Sequence, residues 1–171
     1  MGDREGMMHF AHVDSTVMCN SVPDEMTQRL AMAKAVKLLT HREYSEQELN
    51  QRLSGEFPAE VVASVVGLCV ARDWLNERRM TASFVRSHAV RGQGPRKIRA
   101  ELRIKGIAEF AIEEALTGYD WFELARQTAR RKSQQPWTLD RLALQRLHGF
   151  LIRRGFTVEQ AYYGCAADSD C

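Results

Sequence analysis

One interval, 49 residues, recurs along this 171-residue chain and narrows what it can fold into. Leu49, Ile98 and Leu147 stand at that spacing, and so do Leu53, Leu102 and Leu151. Lys105-Gly106-Ile107 returns at the same spacing as Arg154-Gly155-Phe156, whereas the first unit departs, with Gly55-Glu56-Phe57 shifted along the chain. One such match is cheap by chance; this many mark an internal repeat. Within each unit the paired apolar residues are about one helical turn apart, so both lie on one helix face. A unit of 49 residues is too small to bury much surface alone, and neighbours must stack. The expectation is an all-α fold of three tandem three-helix bundle repeats, elongated or curved, with no sheet.

Helix signals place the units. Residues 1–25 lack helical periodicity and read as a flexible leader. The first repeat, 26–75, begins with a helix whose apolar face is Leu30, Ala33, Val36 or Lys37, and Leu38. Ser45 with Glu48 is a capping-box pair opening a helix through Leu49 and Leu53. Pro58 starts the next helix, through Val61, Val62, Val65, Leu68 and Cys69; its β-branched run could form a strand, but its length and neighbours favour a helix. In the second repeat, 76–118, Asn76 caps a helix through Met80, Phe84, Val85 and His88. Gly92-Gln93-Gly94-Pro95 breaks the chain, Ile98 and Leu102 face the core, and the third helix carries Phe110, Ile112 or Ala111, and Leu116. The third repeat, 119–163, starts near Asp120, with Leu124, Ala125 and Thr128 buried. Thr138 then caps a helix with Leu142, Leu147, Phe150 and Leu151. Residues 164–171 read as a disordered tail, with Cys165 and Cys171 as surface thiols.

Composition excludes several classes. No apolar run reaches the roughly 20 residues that span a bilayer, and the acidic N-terminus does not resemble a signal peptide. A cytoplasmic protein without membrane contact is expected. The four cysteines form no CxxC pair and have no histidine at zinc-ligand spacing, so no metal or other cofactor is expected. No nucleophile–base pair or HExxH occurs, and nothing else suggests an enzyme or a small-molecule substrate. Gly92-x-Gly94 before a helix start, with Arg96 and Lys97 inside it, could in principle hold a phosphate. It lacks the strand and the further glycines of a nucleotide-binding signature.

Charge is the stronger lead. The net charge of +2 hides segregation: residues 78–105 hold nine basic side chains and one acid, while 106–125 hold five acids and no base. Residues 126–154 then hold eight bases and one acid. Glu109, Glu113 and Glu114 stand at helix spacing and read as a solvated face. Arg96, Arg99 and Arg103 form one stripe on the helix from Pro95. Arg130, Arg131 and Lys132 end one helix, and Arg153 and Arg154 end another. With Arg86, Arg91 and Lys97, these are the candidate partner- or DNA-binding residues. They would contact phosphates or an acidic protein without reading base sequence.

The residues so assembled resemble the bacterial RecX family, modulators of the RecA recombinase. The likeness covers roughly residues 28–163. It is carried most specifically by Trp74-Leu75-Asn76-Glu77-Arg78-Arg79-Met80, Ser83-Phe84-Val85-Arg86, Gly92-Gln93-Gly94, and Ile98-Arg99-Ala100-Glu101-Leu102 with Lys105-Gly106-Ile107. Arg42-Glu43-Tyr44-Ser45 and Phe150-Leu151 with Arg153-Arg154-Gly155-Phe156 agree with it. Asn76-Glu77 replaces the family's usual acidic pair, and Met80 its common phenylalanine. The resemblance implies tandem three-helix repeats and a regulator without enzymatic activity. It would bind the RecA–single-stranded DNA filament, touch DNA directly or through RecA, and restrain ATPase, filament extension and strand exchange. A monomer is expected. The other reading is a sequence-nonspecific DNA-binding protein acting without RecA.

Overall fold

The computed structural model describes residues 25–133 and 140–166. Among these the chain is helical throughout: α1 (Glu25–His41), α2 (Glu46–Ser54), α3 (Ala59–Ala71), α4 (Glu77–Val90), α5 (Pro95–Ile104), α6 (Glu109–Thr117), α7 (Trp121–Lys132), α8 (Arg141–Arg153) and α9 (Val158–Cys165). Residues 1–24 of the expected leader, and residues 134–139 with Thr138 among them, lie outside the described residues, while Glu25 already opens α1. Three apolar cores follow one another along the chain. α1–α3 enclose Leu49, Leu53 and the α3 valines, α4–α6 enclose Ile98, Leu102 and Ile112, and α7–α9 enclose Leu147, Leu151 and Phe156. Trp121 packs against both the second and third cores, and its indole N–H donates to the Leu116 carbonyl at 2.9 Å.

Capping explains most of the boundaries. Ser45 Oγ accepts from the Glu48 amide (3.1 Å) while Glu48 Oε2 accepts from the Ser45 amide (3.2 Å), which completes the box at α2. Asn76 Oδ1 caps α4 through the Arg79 amide at 2.9 Å. Pro95 is the first residue of α5, where its missing N–H is harmless. Asp140, rather than Thr138, caps α8 through the Ala143 amide at 2.7 Å. The α3 run is a helix, because Val61, Val65 and Cys69 share one buried side with Val62 and Val66.

Several apolar residues do not face inward as their hydrophobicity suggests. In α1 the buried pair is Ala31 and Ala35, whereas Leu30 is 57% exposed and Ala33 and Val36 are also exposed. Small side chains at the contact let α1 approach the valine-rich α3 closely, so the buried face is turned by one position. Leu68 is partly exposed, and Val66 takes its place in the core. Phe110 is two residues from the buried Ile112, which puts it on the far side of α6. Leu142 precedes Leu147 by five, again off the buried stripe of α8. Cys165 closes α9 and is half-buried, so it is no tail thiol.

The repeat also generates the joints between units. Ser45 Oγ donates to the Lys105 carbonyl at 2.7 Å, and the Gly94 amide donates to the Arg154 carbonyl at 2.8 Å. Ser45 and Gly94 are one repeat apart, as are Lys105 and Arg154, so the start of one unit's second helix meets the end of the next unit's second helix twice over. The glycine after each of these ends is left-handed, with φ +81° at Gly106 and +94° at Gly155. It also provides clearance: a side chain on Gly106 would meet Gln47, and one on Gly155 would meet Lys97. Gly55 in the first unit has φ −72° and nothing near its open side. Among the described residues no helix start lies against Gly55, where the 49-residue register breaks.

Candidate functional site

Pairing in space sorts the basic residues that look alike in sequence. α6 packs back against α4 and α5, and its glutamates meet their arginines. Glu109 accepts from Arg103 Nε (2.7 Å) and Nη2 (2.8 Å), and Glu113 accepts from Arg99 Nε at 2.8 Å. Glu114 pairs with Arg78. The hydrogen bond from Arg103 holds the Glu109 carboxyl below its usual range and raises the Arg103 guanidinium in turn. The α6 acids are therefore not a purely solvated face, and Arg99 and Arg103 are not an open stripe. Their charge is answered within the repeat.

The joint between the first two units is likewise neutralised. Glu48 lies between Lys105 Nζ at 2.6 Å and Arg42 Nη2 at 3.1 Å. Burial alone would raise its pKa, but the hydrogen bonds from Arg42, Lys105 and the Ser45 amide outweigh it and bring the carboxyl down to about 2. Arg79 similarly takes Glu43 at 2.7 Å.

Between the second and third units the cations stay open. Arg91, Arg96, Lys97, Arg131, Lys132, Arg153 and Arg154 form no ion pair with an acid among the described residues. Several are drawn together by the joint itself. Arg131 Nη1 donates to the Val90 carbonyl at 2.9 Å, beside Arg91. Gly92 lies against Thr128, the Arg96 amide donates to the Gly155 carbonyl at 3.0 Å, and Lys97 packs on Gly155. Arg154 and Lys132 lie over the Phe150 ring, 5.3 and 5.7 Å from its centroid. Arg96 also contributes, after hydrogen bonds at the start of α9, to the lowered pKa of Glu159. Arg86 is exposed on α4, and Arg130 is half-buried and already engaged.

The same joint closes the glycine loop to anions. The amides of Gly92, Gln93 and Gly94 donate to the carbonyls of Ala89 (2.9 Å), His88 (3.0 Å) and Arg154 (2.8 Å), and Pro95 has none to offer. The loop is a packed junction between units, and a phosphate would find side chains there rather than a backbone cradle. Sequence reasoning missed Arg146 at this end of the molecule and the Ser45–Glu48–Lys105 contact, although the 49-residue offset between Ser45 and Gly94 was a usable signal. No group of three or more His, Cys, Asp or Glu among the described residues is placed to hold a metal ion, and none of the described helices is long and apolar enough to cross a membrane.

The described residues define a class, an all-α protein of tandem three-helix repeats. Residues 31–67 match the profile of the RecX first three-helix domain, and 76–116 that of the RecX second three-helix domain. Regulatory protein RecX of Actinobacillus pleuropneumoniae serotype 5b (strain L20) is 35% identical over 134 residues, covering 77% of this chain and 87% of that protein. Its counterpart from Vibrio campbellii (strain ATCC BAA-1116) is 33% identical over 140 residues, covering 80% and 90%. The crystal structure of RecX from Lactobacillus salivarius superposes with a TM-score of 0.71 over 81% of this chain and 94% of that one; at 19% identity it speaks for the fold. The chain belongs to the RecX family.

Proposed function

We propose that this protein regulates RecA by binding the RecA–single-stranded DNA filament and restraining its ATPase, extension and strand exchange. Family membership supports the regulatory role, and the observation that carries the contact surface is the open cation belt at the joint of the second and third repeats. A nucleoprotein filament presents repeating negative charge, and a belt of arginines and lysines that form no close ion pair among the described residues is its electrostatic complement. Tandem repeats suit this partner, because one chain can touch successive filament subunits. Restraint follows if the protein binds one filament state more tightly than another, since a ligand shifts an equilibrium only by its differential affinity. On this reading the protein acts as a monomer without catalysis of its own, and units 26–75, 76–118 and 119–163 are its working parts.

The test is a titration into RecA turning over ATP on single-stranded DNA. Substoichiometric amounts should lower the steady ATPase rate. An unchanged rate beside tight, salt-sensitive DNA binding would favour a DNA-binding protein acting without RecA.

A further inference from the structure

At the outer side of the third repeat the end of α7 and one face of α8 enclose a cleft of about 460 Å³. Ala143 and Leu147 line it on the apolar side, and Lys132, Arg146, Arg153 and Phe150 surround them. Three features single it out. The cations on its rim are exposed and form no ion pair with an acid among the described residues. Like charges gathered without acids repel one another, so the arrangement is improved by a bound anion. Phe150 is half-buried, which gives it a fixed orientation, and Lys132 and Arg154 already lie over its ring. Finally, Arg154 belongs to both surfaces: its carbonyl accepts from Gly94 in the joint while its guanidinium reaches Phe150. The cleft continues the cation belt.

Fixed aromatic surface beside several cations is the combination that binds single-stranded nucleic acid, with bases stacking and phosphates paired. A duplex keeps its bases stacked inside and could use the cations alone. An acidic peptide would use the cations but would gain little from the ring. We infer that this cleft takes one unpaired nucleotide of a single strand, its base displacing the Lys132 ammonium from the Phe150 ring and its flanking phosphates resting on Lys132, Arg146 and Arg153. The inference rests on the proposed action at a DNA-bearing filament and names where the strand itself is touched. It is tested without RecA, so the two can fail separately.

The experiment is fluorescence anisotropy of the full chain with a labelled oligothymidylate and with a duplex of equal length, across a salt series. Arg146→Glu with Arg153→Glu should weaken single-strand binding roughly tenfold or more and flatten its salt dependence by about 1.4 in log–log slope, as two lost phosphate contacts require. Phe150→Leu keeps an apolar side chain against the third core. It should weaken the single strand roughly fivefold or more, leave the salt slope unchanged and spare the duplex. Lys132→Gln, at an exposed position, gives an independent reading free of folding effects and should flatten the slope by about 0.7. Wild-type single-strand affinity in all three variants would overturn the inference, as would equal losses for strand and duplex in Phe150→Leu. Polyglutamate competing as well as unlabelled oligothymidylate would overturn it in favour of an acidic protein partner.

Discussion

Replacing Gly155 with alanine should break the joint between the second and third repeats. Two effects act at once. At φ +94° an L-residue is strained by about 1–3 kcal/mol. The added methyl also meets Lys97 Cβ and, at 2.6 Å, the Lys97 backbone nitrogen, which is fixed in the first turn of α5. Such overpacking costs about 1–3 kcal/mol. If the units part to relieve it, the Gly94–Arg154 and Arg96–Gly155 hydrogen bonds are lost instead, at about 0.5–1.5 kcal/mol each. The expected destabilisation is therefore about 2–6 kcal/mol, a large part of the ~5–15 kcal/mol that holds an ordinary domain. Gly94→Ala separates the two effects. Its φ of −87° suits alanine, yet its methyl would meet the Gly155–Phe156 backbone, so only the packing term remains. Gly55→Ala is the control: φ −72° and open space predict no loss, or a gain of about 0.4–1 kcal/mol from the unfolded chain. Urea unfolding followed by circular dichroism, with hydrogen exchange in α8 and α9, reads all three. Equal stability for Gly155→Ala and Gly55→Ala would refute the joint.

Two further expectations concern the first half of the chain. Glu48 has a folded pKa of about 2 against an ordinary 4.5. Because the folded value is the lower one, its contribution is fully present above pH 4.5 and disappears as pH falls from there towards 2. Urea midpoints should decline over that window, and Glu48→Gln should shrink the decline; an unchanged acid limb would contradict the Arg42–Glu48–Lys105 contact. Asn76→Ala removes the α4 cap and should lower stability by about 0.5–2 kcal/mol, whereas Asn76→Ser, which keeps a capping oxygen without setting a carboxylate against Asp73, should lose less. Equal melting temperatures for the two variants would show that the cap contributes nothing.

Much of the fold was legible because the signals were local or periodic. Ser45 with Glu48, Asn76 and Pro95 each act where the chain starts a helix, and Leu49, Ile98 and Leu147 occupy equivalent core positions in successive units. What failed depended on partners far away in sequence. Ala31 and Ala35 outrank Leu30 in α1 only because of what α3 brings against them, and no hydrophobicity scale contains that. Charge misled for the same reason. A basic stretch followed by an acidic one looks like segregation along the chain, but α6 folds back and the two runs neutralise each other, Arg99 with Glu113 and Arg103 with Glu109. The glycines at 106 and 155 were legible as equivalent positions of the repeat, while their role as landing sites for a neighbouring unit needed the structure.

If the cations open at the second joint, and not basic residues in general, carry the proposed regulation, two charge variants should differ in the RecA ATPase titration. Arg91→Glu, Arg96→Glu and Lys132→Glu together should raise the amount of protein needed for half-inhibition roughly tenfold or more, as the loss of several anion contacts implies. Arg99→Gln with Arg103→Gln, which touches only pairs already neutralised by Glu113 and Glu109, should leave it within about twofold, as expected for exposed ion pairs. Equal loss of inhibition in both variants, or full inhibition by the triple variant, would rule out regulation through the second joint.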